Sequence, residues 1–420
     1  MIDLSRLSTR RAFLGKSLGL VSAGLVIPSW LDRTAFALDD PLDVKQPGAR
    51  PGRQDDRILV VLQLSGGNDV LSSVVPYGDP EYYKARRVTA IRREEVLAID
   101  DHLGLNRAML PMKKLYDAGR MAIVQGVSYP NPNRSHFNSM AIWHTCDERS
   151  PDLSDGWLAR YFEEAGKAAP VAPTAAISLG SEAPQALVGR TFRGISFQDP
   201  QSFAWQAGKG RAELEGAYQA LNQARATGNT ELDFLSTTAM EANAATATVR
   251  SAVAKFKAAG AYQGRLGRDM ATVAAMIAGG LDTRLYYVRQ GGYDTHSGQR
   301  GRHDRLMVEL AGNLEAFMTD LERLGAHQRV VVMCFSEFGR RVEENASGGT
   351  DHGAAGSMFV VGHPVKGGIK GAHPSLTALD RGDLAWSIDF RQVYTSMIGG
   401  WLGGPADTIL GKAYEPIDLV

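Results

Sequence analysis

The residues best suited to chemistry form two short clusters of carboxylates and histidines in the last third of the chain. One is Gly291-Gly-Tyr-Asp-Thr-His296, which follows the strand-like run 284–288. In the other, Glu337 directly follows the apolar run 329–335, and Gly349-Thr-Asp-His-Gly353 comes shortly after it. A carboxylate at the end of a strand, near an Asp-His pair between glycines, is an arrangement that a divalent metal site needs. The sequence therefore predicts that these clusters bind metal.

Both clusters follow strands of a predicted parallel sheet. Continuous apolar runs are typical of central strands covered on both faces, and they predict strands at 57–64, 121–126, 284–288, 329–335 and 358–361. Apolar residues at helical spacing predict helices at 110–119 and from about 305 to 324. This alternation of strands and helices favours an α/β fold, a three-layer α/β/α sandwich with a mostly parallel central sheet.

Polar residues come directly after four of the predicted strands. Asp69 ends the turn Ser65-Gly-Gly-Asn-Asp69, and the segment Asn133-Arg-Ser-His-Phe137 follows the second strand. Asp294 and Glu337 follow the third and fourth. Parallel sheets bind ligands at the carboxyl ends of their strands, although an Asp in a glycine turn is also a common turn former. Together these strand ends predict one pocket that contains Asp69, Asp294, His296, Glu337 and His352.

The composition gives no electrostatic reason to expect nucleic acid as a partner. Lys plus Arg and Asp plus Glu number 46 each, so the formal net charge is zero. Residues 57–420 fit a single large α/β domain, and no repeat divides them. Within this domain, a segment at about 205–270 is rich in Ala, Gln, Glu and Lys and is predicted to be a helical insertion.

The first 37 residues have the pattern of an export signal. Arg10 and Arg11 precede a moderately apolar segment, and Ala35-Phe-Ala37 offers a cleavage site of small residues. This pattern resembles a twin-arginine signal peptide, with an uncleaved anchor as the alternative. Residues 38–56 then form a linker rich in Pro, Gly and charge. We therefore expect a periplasmic or secreted protein that meets the twin-arginine translocase during export and keeps no stable membrane insertion after cleavage.

Five motifs together resemble one known family, the exported bacterial proteins called domain of unknown function 1501 (DUF1501). The matching segments are 64–69, Tyr129-Pro-Asn-Pro-Asn-Arg-Ser-His-Phe137 with Trp143-His144, 291–296, Phe335-Ser-Glu-Phe-Gly-Arg-Arg341 and 349–353. The resemblance extends over nearly the whole mature chain. The family is similar in turn to the alkaline phosphatase and sulfatase superfamily, which implies an alkaline-phosphatase-like fold.

The superfamily resemblance also implies one or two divalent metal ions, namely zinc, manganese or calcium. Asp69 matches the first metal-binding aspartate. Asp294 matches the aspartate of the second metal, with His296 or His303 as the nearby histidine.

Two matches compete for the remaining metal ligands. Asp351 and His352 match the Asp-His metal pair of the superfamily, or Glu337 takes that place at the strand end and His352 is a later histidine. The second match is preferred because Glu337 directly follows its strand. His352 binds metal under either match.

The resemblance further implies that Ser135 is the nucleophile, since it opens a predicted helix at 135–143. Arg134 or Arg340 would clamp the oxygens of the transferring group, although structural ion pairs are an equal alternative for both. The sulfatase sequence Cys-x-Pro-Ser-Arg is absent, and Phe338 stands where a histidine usually follows the acidic residue.

Two functions follow as expectations. In the first, the protein is an exported metal-dependent hydrolase of phosphate, sulfate or similar anionic esters, whose substrate is a small or polymeric anion. In the second, it is a catalytically silent binding or assembly protein with the same fold. The departures at the sulfatase motif and at Phe338 keep this alternative open.

Overall fold

A computed structural model describes residues 57–200 and 246–420. The predicted signal peptide at 1–37, the linker at 38–56 and much of the helical insertion at 205–270 lie outside the described residues. Residues 57–196 and 252–420 form one compact unit, and the candidate site lies in it.

The main sheet contains nine strands in the described part of the chain. They are β1 (Ile58–Ser65), β5 (Met121–Ser128), β6 (Ala176–Leu179), β7 (Ile195–Phe197), β8 (Leu285–Gly291), β9 (Val330–Phe335), β10 (Gly356–Val361), β11 (Gly368–Lys370) and β12 (Ile388–Asp389). Their order in the sheet is β11-β5-β10-β9-β1-β8-β6-β7, and β12 also pairs with β5. A small second sheet contains β2 (Val74–Val75), β3 (Val96–Ala98) and β4 (Gly104–Asn106).

Four central strands of the main sheet run in the same direction. Strand β1 pairs in parallel with both β8 and β9. Strand β10 is antiparallel to β9 and to β5, so β5 has the same direction as β9. The prediction of a mostly parallel sheet is therefore confirmed, with β10 as an antiparallel exception. Because the carboxyl ends of β1, β5, β8 and β9 meet at one edge, the polar residues that follow them are brought together there.

Helices cover both faces of the sheet. On one face a continuous apolar core joins side chains of β1 such as Leu59 and Val61 to Trp143, Trp157 and Tyr394. The helices of this layer are His136–Thr145, Trp157–Gly166, Phe390–Thr395 with its continuation Ser396–Trp401, and Ala406–Leu410. The other face carries Leu110–Asp117, Gly264–Ala278 and Gln299–Arg323. Gln299–Arg323 contacts the other two helices, of which Leu110–Asp117 contacts β5 and Gly264–Ala278 contacts β8. This is the predicted three-layer α/β/α sandwich.

One helix is longer than the sequence predicts. The predicted helix at 305–324 begins earlier, at Gln299, because the segment after Gly298 continues as helix through polar residues that carry no apolar signal. Two short helices, Val70–Ser73 and Pro80–Ala85, follow β1. Within residues 57–200 and 246–420, none of the helices has the length and apolar character needed to cross a lipid bilayer.

Candidate metal centre

The ends of the four parallel strands determine the position of the site. Ser65 at the end of β1 pairs in register with Gly291 at the end of β8, and Gln63 pairs with Phe335 at the end of β9. Asp294 and Glu337 therefore leave the sheet on either side of β1. His136 is the first residue of the helix that follows β5, which we call the site helix (His136–Thr145). All three side chains reach the same edge of the sheet.

Three histidines direct their Nε2 atoms towards the carboxylate of Asp294. Asp294 Oδ1 lies 3.1 Å from Nε2 of His296 and 3.2 Å from Nε2 of His352. Asp294 Oδ2 lies 3.5 Å from Nε2 of His136. One ligand atom each from His136, Asp294 and His352 lie within 4.8 Å of one another, and Nε2 of His296 is 3.0 Å from Nε2 of His352. We call these four residues the Asp294 cluster.

The opposite nitrogen of each histidine contacts an oxygen that accepts a hydrogen bond. Nδ1 of His136 is 2.8 Å from Oε1 of Glu337, and Nδ1 of His296 is 3.1 Å from Oδ1 of Asp351. Nδ1 of His352 is 2.8 Å from the carbonyl oxygen of Arg134. Since each Nδ1 donates its hydrogen outward, each neutral ring has a lone pair on Nε2. Metal-binding histidines are commonly oriented in this way.

The converging Nε2 atoms lack donors that would satisfy them. Nε2 of His136 is buried and makes no hydrogen bond in the described part of the protein. Burial lowers the pKa of His352, which favours its neutral form. The hydrogen bond to Glu337, together with the charges of Glu337 and Asp294, raises the pKa of His136, so the surroundings of this ring favour a positive charge. When the rings are neutral, their Nε2 lone pairs and the carboxylate repel one another unless a cation lies among them. The residues of the Asp294 cluster therefore fit a divalent metal ion.

Asp294 is itself held in its ionised form. Burial opposes the charge, but the hydrogen bond from Arg340 at 2.8 Å, the contact with His352 and the positive charge of Arg340 together outweigh it and lower the pKa of Asp294 to about 2. Its carboxylate is therefore charged at neutral pH and able to bind metal. Because Arg340 contacts Oδ1, the second oxygen, Oδ2, is the one directed at His136.

An apolar floor supports the histidine rings. The ring of Phe338 lies 4.9 Å from the ring of His136 and 4.7 Å from that of His352, measured between centroids. Gly67 has a φ of +76°, and a Cβ there would lie 2.5 Å from the Phe338 ring. The departure of Phe338 from the superfamily pattern thus has a structural explanation, since this ring packs beneath two candidate ligands instead of binding metal.

Two predicted metal ligands, Glu337 and Asp351, contact the Nδ1 side of the histidine rings, away from Asp294. Glu337 is buried, and its Oε1 accepts hydrogen bonds from Nδ1 of His136 and, at 2.9 Å, from the backbone of Gly66. Asp351 accepts from Nδ1 of His296 and, at 3.0 Å, from Asn345. In this arrangement Glu337 and Asp351 orient candidate ligands and do not take part in the cluster themselves.

Asp69, predicted as a metal ligand, lies in a different environment. Its carboxylate and the guanidinium of Arg86 are both fully buried and form an ion pair at 2.6 Å. Ser72 also donates to Asp69 at 2.6 Å, and the backbone of Leu71 donates at 3.3 Å. Burial alone would raise the pKa of Asp69, but Arg86 lowers it to about 2. The structure therefore corrects this assignment, because buried donors occupy the oxygens that a metal would need.

The structure also distinguishes between the two candidate histidines of the chain segment after β8. His296 belongs to the Asp294 cluster. His303 is buried within the helix Gln299–Arg323, and its Nε2 lies 2.9 Å from Oδ1 of Asn68. His303 is thus placed with the Asp69 network and not with the candidate metal ligands.

The two arginines predicted as clamps make structural contacts. Arg340 is fully buried and donates to the carbonyl oxygens of Gly66, Gly67 and Thr350 as well as to Asp294. It cannot reach a substrate without losing these bonds, so its clamp role is corrected to that of a support for the glycine turn. Arg134 forms an ion pair with Asp383. This is the alternative that the sequence left open.

Ser135, the predicted nucleophile, caps the site helix immediately before His136. It is exposed, and its side chain makes no capping hydrogen bond. A cleft of about 540 Å³ lies beside the cluster and is lined by His136, Asp294 and Glu337 among others. Ser135 is not among its lining residues. Its nucleophilic role therefore stays a prediction.

His136 is a candidate ligand that the sequence motifs do not predict. It lies in the strand-end segment 133–137, in which the sequence predicts a functional role for the adjacent Ser135 instead. The signal that could have found it is its position as the first residue of a helix after a parallel strand. Only the tertiary contact with Glu337 and Asp294 shows that its ring turns into the site.

Comparisons with known proteins agree with the family resemblance. The family model described as "Protein of unknown function (DUF1501)" matches residues 116–381, which is more than half of the chain. A search of curated proteins finds no match.

Several solved structures show a distant likeness. A phosphonate monoester hydrolase from Silicibacter pomeroyi is 7% identical, with 85% of this chain and 78% of that chain covered and a TM-score of 0.38. The sulfatase PsFucS1 from Pseudoalteromonas sp. is 10% identical over 86% of this chain and 70% of that one, with a TM-score of 0.36. The C-terminal periplasmic domain of EptC from Escherichia coli, in complex with Zn, is 10% identical over 75% and 76%, with a TM-score of 0.34. Likeness at this level carries no argument about reaction or metal.

Proposed function

The chain belongs to the DUF1501 family, and from this premise we propose that it is a metal-dependent hydrolase of phosphate, sulfate or similar anionic esters. The observation that carries the proposal is the Asp294 cluster, in which Nε2 of three histidines faces one carboxylate. The cluster opens on a cleft of about 540 Å³ at the carboxyl edge of the sheet, where α/β proteins bind their ligands.

The donor set favours a transition metal. Three imidazole nitrogens and one carboxylate suit zinc, whereas calcium prefers oxygen ligands only. His136, Asp294, His296 and His352 would hold the ion. Among the residues that the structure describes, His136, Asp294 and His352 form the group of side chains close enough to share a metal. His296 adjoins this group, with its Nε2 3.0 Å from Nε2 of His352. We therefore propose one ion for this centre.

The residues around the ion would divide the remaining tasks. A bound divalent metal supplies a Lewis acid that polarises an ester oxygen and neutralises negative charge. Glu337 and Asp351 hold the histidines in the tautomer with a free Nε2. Ser135 stays our proposed nucleophile, since its exposed hydroxyl makes no capping bond and adjoins a candidate ligand. Free N–H groups at the start of the site helix would stabilise an anionic group.

Metal analysis combined with an ester assay tests the proposal. We expect about one equivalent of zinc per folded chain, and hydrolysis of 4-nitrophenyl phosphate or 4-nitrophenyl sulfate that a chelator removes and zinc restores. The double variant His136→Gln/His352→Gln should lose both metal and activity while keeping its circular dichroism spectrum. The matched control is His102→Gln, because His102 is an exposed histidine outside the cluster.

The other results of the metal analysis and the ester assay distinguish among the alternatives. Full metal content in the double variant would show that the ion binds elsewhere and would refute the centre. Stoichiometric metal without turnover of either ester would favour the silent binding protein. Loss of activity in Ser135→Ala with unchanged metal content would support the serine nucleophile. Retained activity in that variant would assign the attack to water.

Export by the twin-arginine route completes the proposal and rests on the sequence alone. Arg10 and Arg11 precede the apolar segment of the signal pattern. Replacing both with Lys should leave full-length precursor in the cytoplasm, as detected by fractionation. Normal export of this variant would contradict the assignment.

A further inference from the structure

One wall of the cleft is the apolar face of the site helix. Phe137, Met140, Ala141 and His144 line the cleft, and their spacing places them on one face of the helix. Phe137 is 89% exposed, the largest value among the exposed large hydrophobic side chains of the described residues. From residue 137 to residue 144 this wall is about 10 Å long. An apolar ring left in water at the side of a cavity favours contact with the flat apolar face of a ligand.

Several polar atoms on the cleft wall are free hydrogen-bond acceptors. Tyr287 donates its hydroxyl to Gln63 Oε1 at 2.6 Å, so it accepts from Nε2 of His144 at 2.9 Å. Nδ1 of His144 is then left as an acceptor. Gln185, also in the cleft, donates through Nε2 to the carbonyl of Pro151 at 2.6 Å, which leaves its Oε1. Asp152 adds an exposed carboxylate to the same lining.

The Asp and Glu side chains that line the cleft are negatively charged, and in the described part of the chain no Lys or Arg lies among them. These side chains are Asp152, Asp294 and Glu337. Arg340 forms an ion pair with Asp294 at 2.8 Å from behind the lining, and Arg289 lies over the Tyr287 ring at 6.0 Å and donates to the carbonyl of Glu182. The charge of Asp294 is therefore already offset in part, whereas Asp152 forms no ion pair with the residues that the structure describes.

We propose that this cleft binds the alcohol part of the ester and selects an alcohol that has a flat apolar face, carries hydroxyl or ammonium donors and lacks negative charge. The inference rests on the proposed function and narrows it. The anionic group of the substrate would meet the metal, and the rest of the substrate would meet Phe137 and the acceptors of the wall. A polyanionic polymer is disfavoured, since its further charges would face Asp152.

A pair of aryl esters tests this selection. For the zinc-loaded protein, kcat/KM is measured with 4-(aminomethyl)phenyl phosphate and with 4-carboxyphenyl phosphate, or with the two sulfates. The ratio of the two values is then compared between the wild type and Asp152→Asn, which cancels the different reactivity of the leaving groups. We expect the preference for the ammonium substrate to fall about tenfold in Asp152→Asn. The control Asp101→Asn removes an exposed carboxylate outside the cleft and should leave the ratio unchanged.

The apolar wall is tested with Phe137→Ala, which should lower kcat/KM for both esters about tenfold without changing their ratio. Its control is Val88→Ala, another exposed apolar side chain, 70% accessible and outside the cleft. An unchanged ratio in Asp152→Asn, or a Phe137→Ala variant that behaves like its control, would overturn the inference.

Binding separates this inference from the proposed function. If the wild type hydrolyses neither ester, the affinity of 4-(aminomethyl)phenol for the zinc-loaded protein is measured by calorimetry. Binding that weakens in Phe137→Ala and in Asp152→Asn would support the ligand class while the hydrolase proposal fails. Absence of binding would overturn the ligand class as well.

Discussion

Glu337→Gln offers a sharp test of how the candidate metal centre is organised. Oε1 of Glu337 accepts from Nδ1 of His136 at 2.8 Å and from the backbone of Gly66 at 2.9 Å, and its Oε2 lies 3.1 Å from Oγ of Ser336. Gln has the same shape, and its amide NH₂ can donate to Ser336 where Glu accepts. The substitution therefore keeps the packing and removes the charge behind His136.

The magnitude follows from the loss of one charge-assisted hydrogen bond. Such bonds contribute about 1.5–3 kcal/mol, against about 0.5–1.5 kcal/mol for neutral ones. The difference of roughly 1–1.5 kcal/mol corresponds to a zinc affinity about tenfold lower. That value lies at the lower end of the effects usual for residues behind metal ligands, about 10–100-fold. Competition with a chromogenic zinc chelator measures it directly.

Asp351→Asn is the matched control for this measurement. It removes the same charge behind His296, but the side chain of Asp351 is 57% exposed whereas that of Glu337 is 2% exposed. Solvent screens the exposed pair, so we expect only a few-fold loss of affinity. Equal zinc affinity in Glu337→Gln and the wild type, or a larger loss in Asp351→Asn, would refute the proposed role of Glu337.

Three further predictions concern stability and the glycine turn. Arg86→Ala leaves the fully buried Asp69 without its partner, and we expect a loss of about 3–5 kcal/mol in the free energy of unfolding by urea; a loss below about 1 kcal/mol would contradict the role of this pair. Gly66→Ala would place a Cβ 2.4 Å from the backbone N of Asp294 at a φ of +120°. Zinc binding should therefore be lost with little change in the circular dichroism spectrum, and retained zinc affinity would contradict this by showing that the turn can relax. Burial, with a smaller contribution from a nearby arginine, lowers the pKa of His144 to about 3, so the unfolded chain takes up the proton first and stability is lost as pH falls below about 6.5. From this residue we expect the free energy of unfolding to be about 2 kcal/mol lower at pH 5 than at pH 7. The His144→Gln variant should lack this difference, and identical pH profiles of the wild type and the variant would disprove the prediction.

Much of the fold could be predicted from the sequence because its strands are continuous apolar runs. The prediction of 57–64 corresponds to β1 at Ile58–Ser65, and that of 329–335 corresponds to β9 at Val330–Phe335. Buried strands of a parallel sheet need apolar residues on both faces, so their positions are encoded locally. The direction of β10 was not predicted, since an apolar run has the same appearance in a parallel and an antiparallel pair.

The sequence by itself determined the family, the α/β class and the sheet edge where Asp294, His296 and His352 come together. It could do so because polar residues at strand ends follow from chain order, and the carboxyl ends of parallel strands share one edge. Only the tertiary structure decided what each side chain does there. Asp69 and Arg340 follow the same pattern as the cluster residues, but buried partners distant in the chain occupy them. His136 turns into the cluster because Glu337, 201 residues away in sequence, accepts from its Nδ1. Such contacts depend on how distant segments pack, which local sequence patterns do not specify.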